Sequence, residues 1–248
     1  MFSSKHYRNY YANIIKNTTL ISRPIQWKNN NTDKNYQGHT NDMLDYVMCG
    51  RFGLSATQED INERFGINLE DPLLVSRQQI APSQKAIVLI FKENKLKAIT
   101  ATWGIKLSQA NQRSSLLINT RVESLGIKPL YKFSKAKRVL VPATHFYEWL
   151  EYSGTKVPIV FRHKIDKVMA LGGILFEVPS TDGTTSELRF TIVTVPSSGP
   201  VSYVHDRMPL IIEKQDEEVW LNSDTQINTI RSIATHFPSS NVKSDANI

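Results

Sequence analysis

The run Val47-Met48-Cys49-Gly50-Arg51-Phe52 places the chain's one cysteine directly after a methionine. If Met48 were the initiator and were removed, Cys49 would carry a thiol and a free α-amine on adjacent carbons. That pair condenses with an aldehyde, first to an imine and then to a closed thiazolidine ring. An internal cysteine has no access to this chemistry. Forty-seven residues precede Met48, so the reading depends on whether they stay. Taken alone, a lone cysteine is more often a small buried hydrophobe than a nucleophile.

Three other segments concentrate reactive side chains: Ile118-Asn119-Thr120-Arg121-Val122-Glu123, then Val141 to Trp149 (VPATHFYEW), then Val204-His205-Asp206-Arg207-Met208-Pro209. A glutamate and a histidine in one pocket can be tuned to opposite proton duties. Arginine suits phosphate because its planar fork donates two parallel hydrogen bonds. Cations near a thiol lower its pKa and so raise its nucleophilicity at neutral pH. Each residue also has a plainer reading. Glu148 could be an outward-facing strand residue, His205 a turn cap beside a surface Asp206–Arg207 pair, and Asn119 a turn residue.

Taken together, in this order and at these spacings, the four segments resemble the SRAP family of abasic-site-processing proteins. The resemblance runs from Met48 to about Leu221 and includes Ile80-Ala81-Pro82-Ser83, Trp103-Gly104 and the strand Thr191–Thr194. It implies a covalent sensor of abasic sites in single-stranded DNA. Cys49 would form the Schiff base and thiazolidine, Asn119 would bind the opened sugar, and Glu148 and His205 would carry protons. Arg51, Arg121, Thr194 and Arg207 would contact the DNA backbone. The protein would remove the residue or residues before Cys49, giving it autoproteolytic and lyase-like character. It would act as a monomer, without metal or organic cofactor. Two alternatives stay open: a non-covalent single-stranded nucleic-acid-binding module with its cysteine blocked, and a cysteine peptidase limited to self-processing.

Three departures from the family pattern stand out. Gln109 and Ala110 lie where relatives carry a proline and one or two tryptophans that wedge against bases. Gln79 stands where relatives tend to have asparagine, and His145 replaces a usual glycine beside the catalytic glutamate.

The elements that must position these residues are mostly strands. Thr57 to Phe65 reads as a short helix, with a capping residue followed by acids in its first turn. Ala86–Phe91 and Leu96–Trp103, around a polar KENK, read as a hairpin. Residues 120–134 are expected as helix, then loop, broken at Pro129. Arg138–Val141, Phe146–Trp149, Pro158–Arg162, Val168–Phe176, Leu188–Val195 and Met208–Ile212 are strand-like, with turns at Ser153-Gly154 and Asp182-Gly183. Glu217–Leu221 and Gln226–Ala234 look helical. Many successive strands with few helices predict an α+β fold. The expectation is a single SRAP-like domain with a mainly antiparallel, curved or barrel-like sheet and flanking helices.

Composition sets the outer limits. The 248 residues are 40% hydrophobic and 21% charged, ordinary for a globular protein. No apolar run reaches the ~18 residues that span a bilayer, so no membrane partner is expected. One cysteine allows no internal disulfide and no cysteine-rich zinc site. There is no glycine-rich phosphate loop and no histidine pair at metal-ligand spacing. The net charge of +7 is compatible with an anionic partner but does not demand one. The expected division is an extension at 1–47, a catalytic domain at 48–235 and a tail at 236–248. Residues 1–32 carry five basic and no acidic side chains, which fits a mitochondrial transit peptide, an untranslated upstream stretch or a disordered tail. Translation from Met48 would leave a nuclear or cytoplasmic protein.

Overall fold

The computed structural model describes residues 49–69, 76–107, 115–127, 136–152, 154–180 and 184–245. Within the unit Met48–Asp245, two sheets carry the residues of interest. The first part of the chain gives β1 (Phe52–Leu54), α1 (Gln58–Phe65), β2 (Arg77–Ile80), β3 (Lys85–Lys92), β4 (Lys95–Trp103), β5 (Ile105–Leu107), β6 (Ser115–Leu117) and β7 (Asn119–Arg121). The middle gives β8 (Lys137–Ala143), β9 (His145–Tyr152), β10 (Thr155–His163), β11 (Met169–Pro179) and β12 (Ser186–Pro196). The last part gives β13 (Arg207–Pro209), β14 (Ile211–Ile212), α2 (Glu217–Leu221), α3 (Ile227–His236) and β15 (Val242–Ser244).

The larger sheet closes on itself. β12 pairs with β4 and also with β11, and the path β12-β4-β3-β8-β11 returns to β12 as a five-stranded barrel. Closure leaves the ring without an unpaired edge. The core-facing strands read as unbroken apolar runs because both their faces are covered. Met169 to Phe176 of β11, for example, are all buried. Gly172 and Gly173 sit there because an added Cβ would lie 3.1 Å from the Trp220 ring and 2.9 Å from Val141. Trp220, fully buried on α2, donates Nε1–H to the Val139 carbonyl at 2.9 Å. The smaller sheet has the order β15-β10-β9-β1-β2, all antiparallel. The fold is α+β with a predominantly antiparallel, partly closed sheet, as the strand-rich sequence predicts.

Local chemistry explains the elements that were foreseen. Thr57 caps α1 through a reciprocal capping box with Asp60, and Gly66 ends it at φ 62°. Glu93 and Asn94 adopt φ values of 55° and 59°, the backbone of a two-residue hairpin turn, and so fix the β3–β4 register. Other expectations are corrected. Asn119–Arg121 is a strand, held parallel to β12, and only Val122–Ser124 makes a single 3₁₀ turn where a helix was expected. Met208–Ile212 is two strands, broken at Leu210. Val242–Ser244, expected within the tail, pairs with β10 as the sheet's edge. Pro129, Ser153, the Asp182-Gly183 turn, Gln109, Ala110 and residues 1–47 lie outside the described residues. No helix among the described residues is long and apolar enough to cross a membrane.

Candidate functional site

Strand pairing brings the cysteine to the glutamate. β1 runs antiparallel to β9 with Phe52 opposite Phe146 and Gly53 opposite His145, and Tyr147 N–H donates to the Arg51 carbonyl at 3.0 Å. Continuing that register puts Gly50 opposite Glu148 and brings Cys49 next to it. The backbone N–H of Cys49 donates to Glu148 Oε1 at 2.9 Å, across 99 residues of sequence. Cys49 takes a φ of 32°, in the left-handed region that costs a non-glycine residue energy. Thr144 stitches the same strands: its Oγ1 accepts from Ser55 N–H at 3.0 Å and donates to the Gly53 carbonyl at 3.2 Å.

Burial sets the protonation of both groups. Glu148 is 1% exposed, and desolvation pushes its carboxyl pKa up to about 8. The Cys49 N–H opposes that shift and the charge of Asp206 adds to it. The carboxyl is therefore largely neutral at pH 7. Oε1 accepts from Cys49, and Oε2 is buried with no hydrogen-bond partner among the described residues, which leaves Oε2 as the oxygen free to carry the acid's proton. Burial, followed by the charge of Glu148, pushes the Cys49 thiol well above its ordinary value, and a backbone hydrogen bond from Arg51 offsets only part of this.

His205 precedes β13, on the larger sheet. Its Nδ1 accepts the Arg207 backbone N–H at 3.0 Å and also lies 3.0 Å from the Asp206 carboxylate. The charge of Asp206, beside this histidine, adds to the upward shift of Glu148. Asn119 opens β7, opposite Ile192 of β12. The preceding carbonyl, that of Ile118, accepts from Trp103 Nε1 at 2.9 Å, and the Trp103 ring packs edge-on against Phe52, 5.2 Å between centroids. The fully buried Trp103 thus packs between the carbonyl preceding Asn119 and Phe52 of β1, three residues past Cys49.

The residues expected to contact DNA divide into two groups. Arg121 is exposed at the end of β7, and half-buried Arg51 lies 5.8 Å over the Trp149 ring while donating to Gln79 Oε1 at 2.8 Å. Gln79 therefore does on this chain what a hydrogen-bonding side chain at that position must do: it orients Arg51. Thr194 and Arg207 are buried and engaged with each other. Arg207 donates to both carboxylate oxygens of Glu123, at 2.7 and 3.0 Å, and to the Thr194 carbonyl at 2.6 Å. A phosphate could take this fork only by displacing Glu123.

His145 lies on the opposite face of β9 from Glu148. It is 3% exposed, wedged over Gly53, with Nδ1 against Thr144 Oγ1 at 2.8 Å and Nε2 against the Gln78 carbonyl at 2.8 Å. Burial, followed by the nearby Arg162, lowers its pKa in spite of the Gln78 carbonyl. Its role on this face is packing, not proton transfer beside Glu148.

Two features were not legible in the sequence. A cleft of about 980 Å³ is lined by residues such as Arg64, Phe91, Arg138 and Glu217, and none of the four proposed catalytic residues lines it. His163, Asp166 and Glu213 bring metal-ligand atoms within 4.8 Å of one another. His163 Nδ1 accepts the Asp166 backbone N–H at 2.9 Å, so the neutral ring holds its proton on Nε2 and offers no free lone pair to an ion. The sequence separations, 163 to 166 to 213, carry no recognisable ligand spacing.

Comparison with known proteins gives one consistent result. The family model described as SOS response associated peptidase (SRAP) matches residues 48–246. The abasic site processing protein YoqW of Bacillus subtilis is 32% identical over 181 residues, covering 71% of this chain and 80% of that protein. YedK of Escherichia coli, named an abasic site processing protein, is 27% identical over 186 residues, covering 71% and 81%. A crystal structure of a protein from Bacteroides thetaiotaomicron superimposes with a TM-score of 0.66 at 20% identity, covering 79% of this chain and 90% of that one. A family match that begins at Met48 and spans both sheets, together with these relatives, places the chain in the SRAP family.

Proposed function

We propose that this protein processes abasic sites in single-stranded DNA by bonding covalently to them through Cys49. The observation that carries this reading is the contact between the Cys49 nitrogen and a buried, largely neutral Glu148 carboxyl. Once the preceding residues are gone, that nitrogen is an amine. It adds to the C1 aldehyde of the ring-opened sugar to give a carbinolamine. Glu148, with its proton on Oε2, donates to the departing hydroxyl, so water leaves and an imine forms. The Cys49 sulfur then adds to the imine carbon while its proton passes to the imine nitrogen, closing the thiazolidine. The sum is aldehyde plus aminothiol giving thiazolidine plus water.

His205, beside the Asp206 carboxylate whose charge acts on Glu148, is the second proton carrier in this scheme. Arg51 and Arg121 are the cations open to flanking phosphates. Removal of the leader is hydrolysis of the Met48–Cys49 peptide bond. The strained Cys49 backbone and the acid at its nitrogen both favour departure of the amine there. Damaged DNA of this kind presents no base to extrude, so no base-flipping cost arises.

A different observation favours the non-covalent reading for the uncleaved chain. With residue 48 attached, the Cys49 nitrogen is an amide and its thiol is fully buried and protonated. One experiment separates the two. Protein expressed from Met48 is mixed with single-stranded DNA carrying one abasic site, and the products are run on a denaturing gel without reductant. A heat-stable shifted band supports the covalent reading. Its absence, with loss of Met48 verified by mass, overturns that reading.

A further inference from the structure

Arg207 donates to both oxygens of Glu123, and its backbone N–H donates to His205 Nδ1. Glu123 follows directly on β7, the strand that carries Asn119 and Arg121. The helix side chain Arg231 holds the same segment, donating to the Leu125 carbonyl at 3.0 Å. Glu123 is 54% exposed, whereas the Arg207 side chain is 9% exposed. A half-exposed carboxylate thus anchors a buried guanidinium, and the guanidinium's own backbone touches the histidine.

His205 Nδ1 faces two rivals. The Arg207 N–H requires a lone pair on Nδ1 and so places the neutral ring's proton on Nε2. The Asp206 carboxylate, at the same 3.0 Å, favours a proton on Nδ1. Asp206 is 85% exposed, so water shares its charge, whereas Arg207 is held at its backbone by pairing opposite Pro196 and at its side chain by Glu123 and the Thr194 carbonyl. A neutral ring can hold only one arrangement at a time.

We propose that Glu123 is a positioning residue: its ion pair with Arg207 decides which His205 nitrogen carries the proton and ties His205 to the strand bearing Asn119. The inference rests on the covalent reading for its kinetic consequence, but the proton's location is a property of the protein alone. Without Glu123, Arg207 keeps the Thr194 carbonyl but loses both carboxylate contacts, the turn that presents its N–H to Nδ1 loosens, and Asp206 captures the proton there. Nε2 then becomes a bare lone pair with nothing to donate.

The test uses Glu123→Ala and Glu123→Gln in protein expressed from Met48. Nitrogen-15 shifts of the His205 ring, read above its titration, should show the proton on Nε2 in the parent and a majority on Nδ1 in Glu123→Ala. Crosslink formation at saturating DNA should slow about tenfold. Affinity for intact single-stranded DNA should not fall, since Glu123 does not contact phosphate and its loss only opens the Arg207 fork. An unchanged ring-proton location in both variants overturns the proposal, whatever happens to the rate. Rate and affinity falling together with melting temperature, with the ring unchanged, would reduce the pair to a structural tie and also overturn it. A parent protein that forms no crosslink would refute the proposed function, yet the ring shifts would still decide the role of Glu123.

Discussion

Cys49 and Glu148 stand 99 residues apart in the chain and 2.9 Å apart in space, nitrogen to carboxyl oxygen. The contact joins the proposed nucleophile to the acid best placed to move protons at its nitrogen. Removing the acid's proton while keeping its shape tests this pairing. Glu148→Gln should lower the rate of crosslink formation by about 10²-fold or more, the usual worth of a general acid. Single-turnover kinetics on an abasic oligonucleotide would measure it, and a rate within threefold of the parent would remove Glu148 from the proton path.

The same burial makes stability depend on pH. The folded pKa of Glu148, about 8, lies above its ordinary value of 4.5. A raised carboxyl binds its proton more tightly in the folded state. The contribution is full below pH 4.5 and declines as pH rises toward 8. The melting temperature of the full-length chain should fall between pH 5 and pH 8, and fall less steeply in Glu148→Gln. Parallel melting curves for the two proteins across that range would contradict the assignment.

The two atoms of Cys49 have separable duties. Cys49→Ser keeps the amine and loses the sulfur, so protein expressed from Met48 should be trapped on abasic DNA by borohydride but give no heat-stable band without it. The full-length chain, if its leader stays on, should give neither. Equal heat-stable yield from Cys49→Ser and the parent would exclude a thiazolidine.

Gly53 and His145 should behave as a coupled pair. An added Cβ at Gly53 would lie 2.3 Å from His145 Cε1 and 2.3 Å from the Gln78 carbonyl oxygen. Gly53→Ala should therefore cost roughly 1–3 kcal/mol or more in denaturant unfolding. His145→Gly in the same chain should return part of that loss, and the part it cannot return belongs to Gln78. Strict additivity of the two substitutions would mean that the histidine is free to move aside.

Arg121 and Arg207 should differ in how salt reveals them. Arg121, exposed, should contribute a phosphate contact, so Arg121→Ala should reduce the salt slope of single-stranded DNA binding by about 0.7. Arg207, filled by Glu123 and Thr194, should show its loss chiefly as a lower melting temperature. A full unit lost from the slope in Arg207→Ala, with melting unchanged, would mean that Glu123 yields its place to phosphate.

The sequence by itself determined the chemical inventory. One cysteine after a methionine, and glutamate, histidine, asparagine and arginine in four short segments, carried the resemblance to the SRAP family, because the residue types and their order are written in the chain. It also determined the elements whose cause is local: the Thr57–Asp60 capping box, the Glu93-Asn94 hairpin turn and the apolar run of β11. What it left out depends on contacts between distant segments. The β7 strand exists because β12 lies beside it, and three residues have no periodicity to read. Val242–Ser244 becomes a strand only because β10 offers it an open edge. The state of the site was settled at the same level. The tertiary structure encloses Cys49 with Glu148, and desolvation then raises both pKa values. Arg207 and Arg121 look alike in the sequence; only packing decides that one meets a carboxylate inside the protein and the other faces solvent.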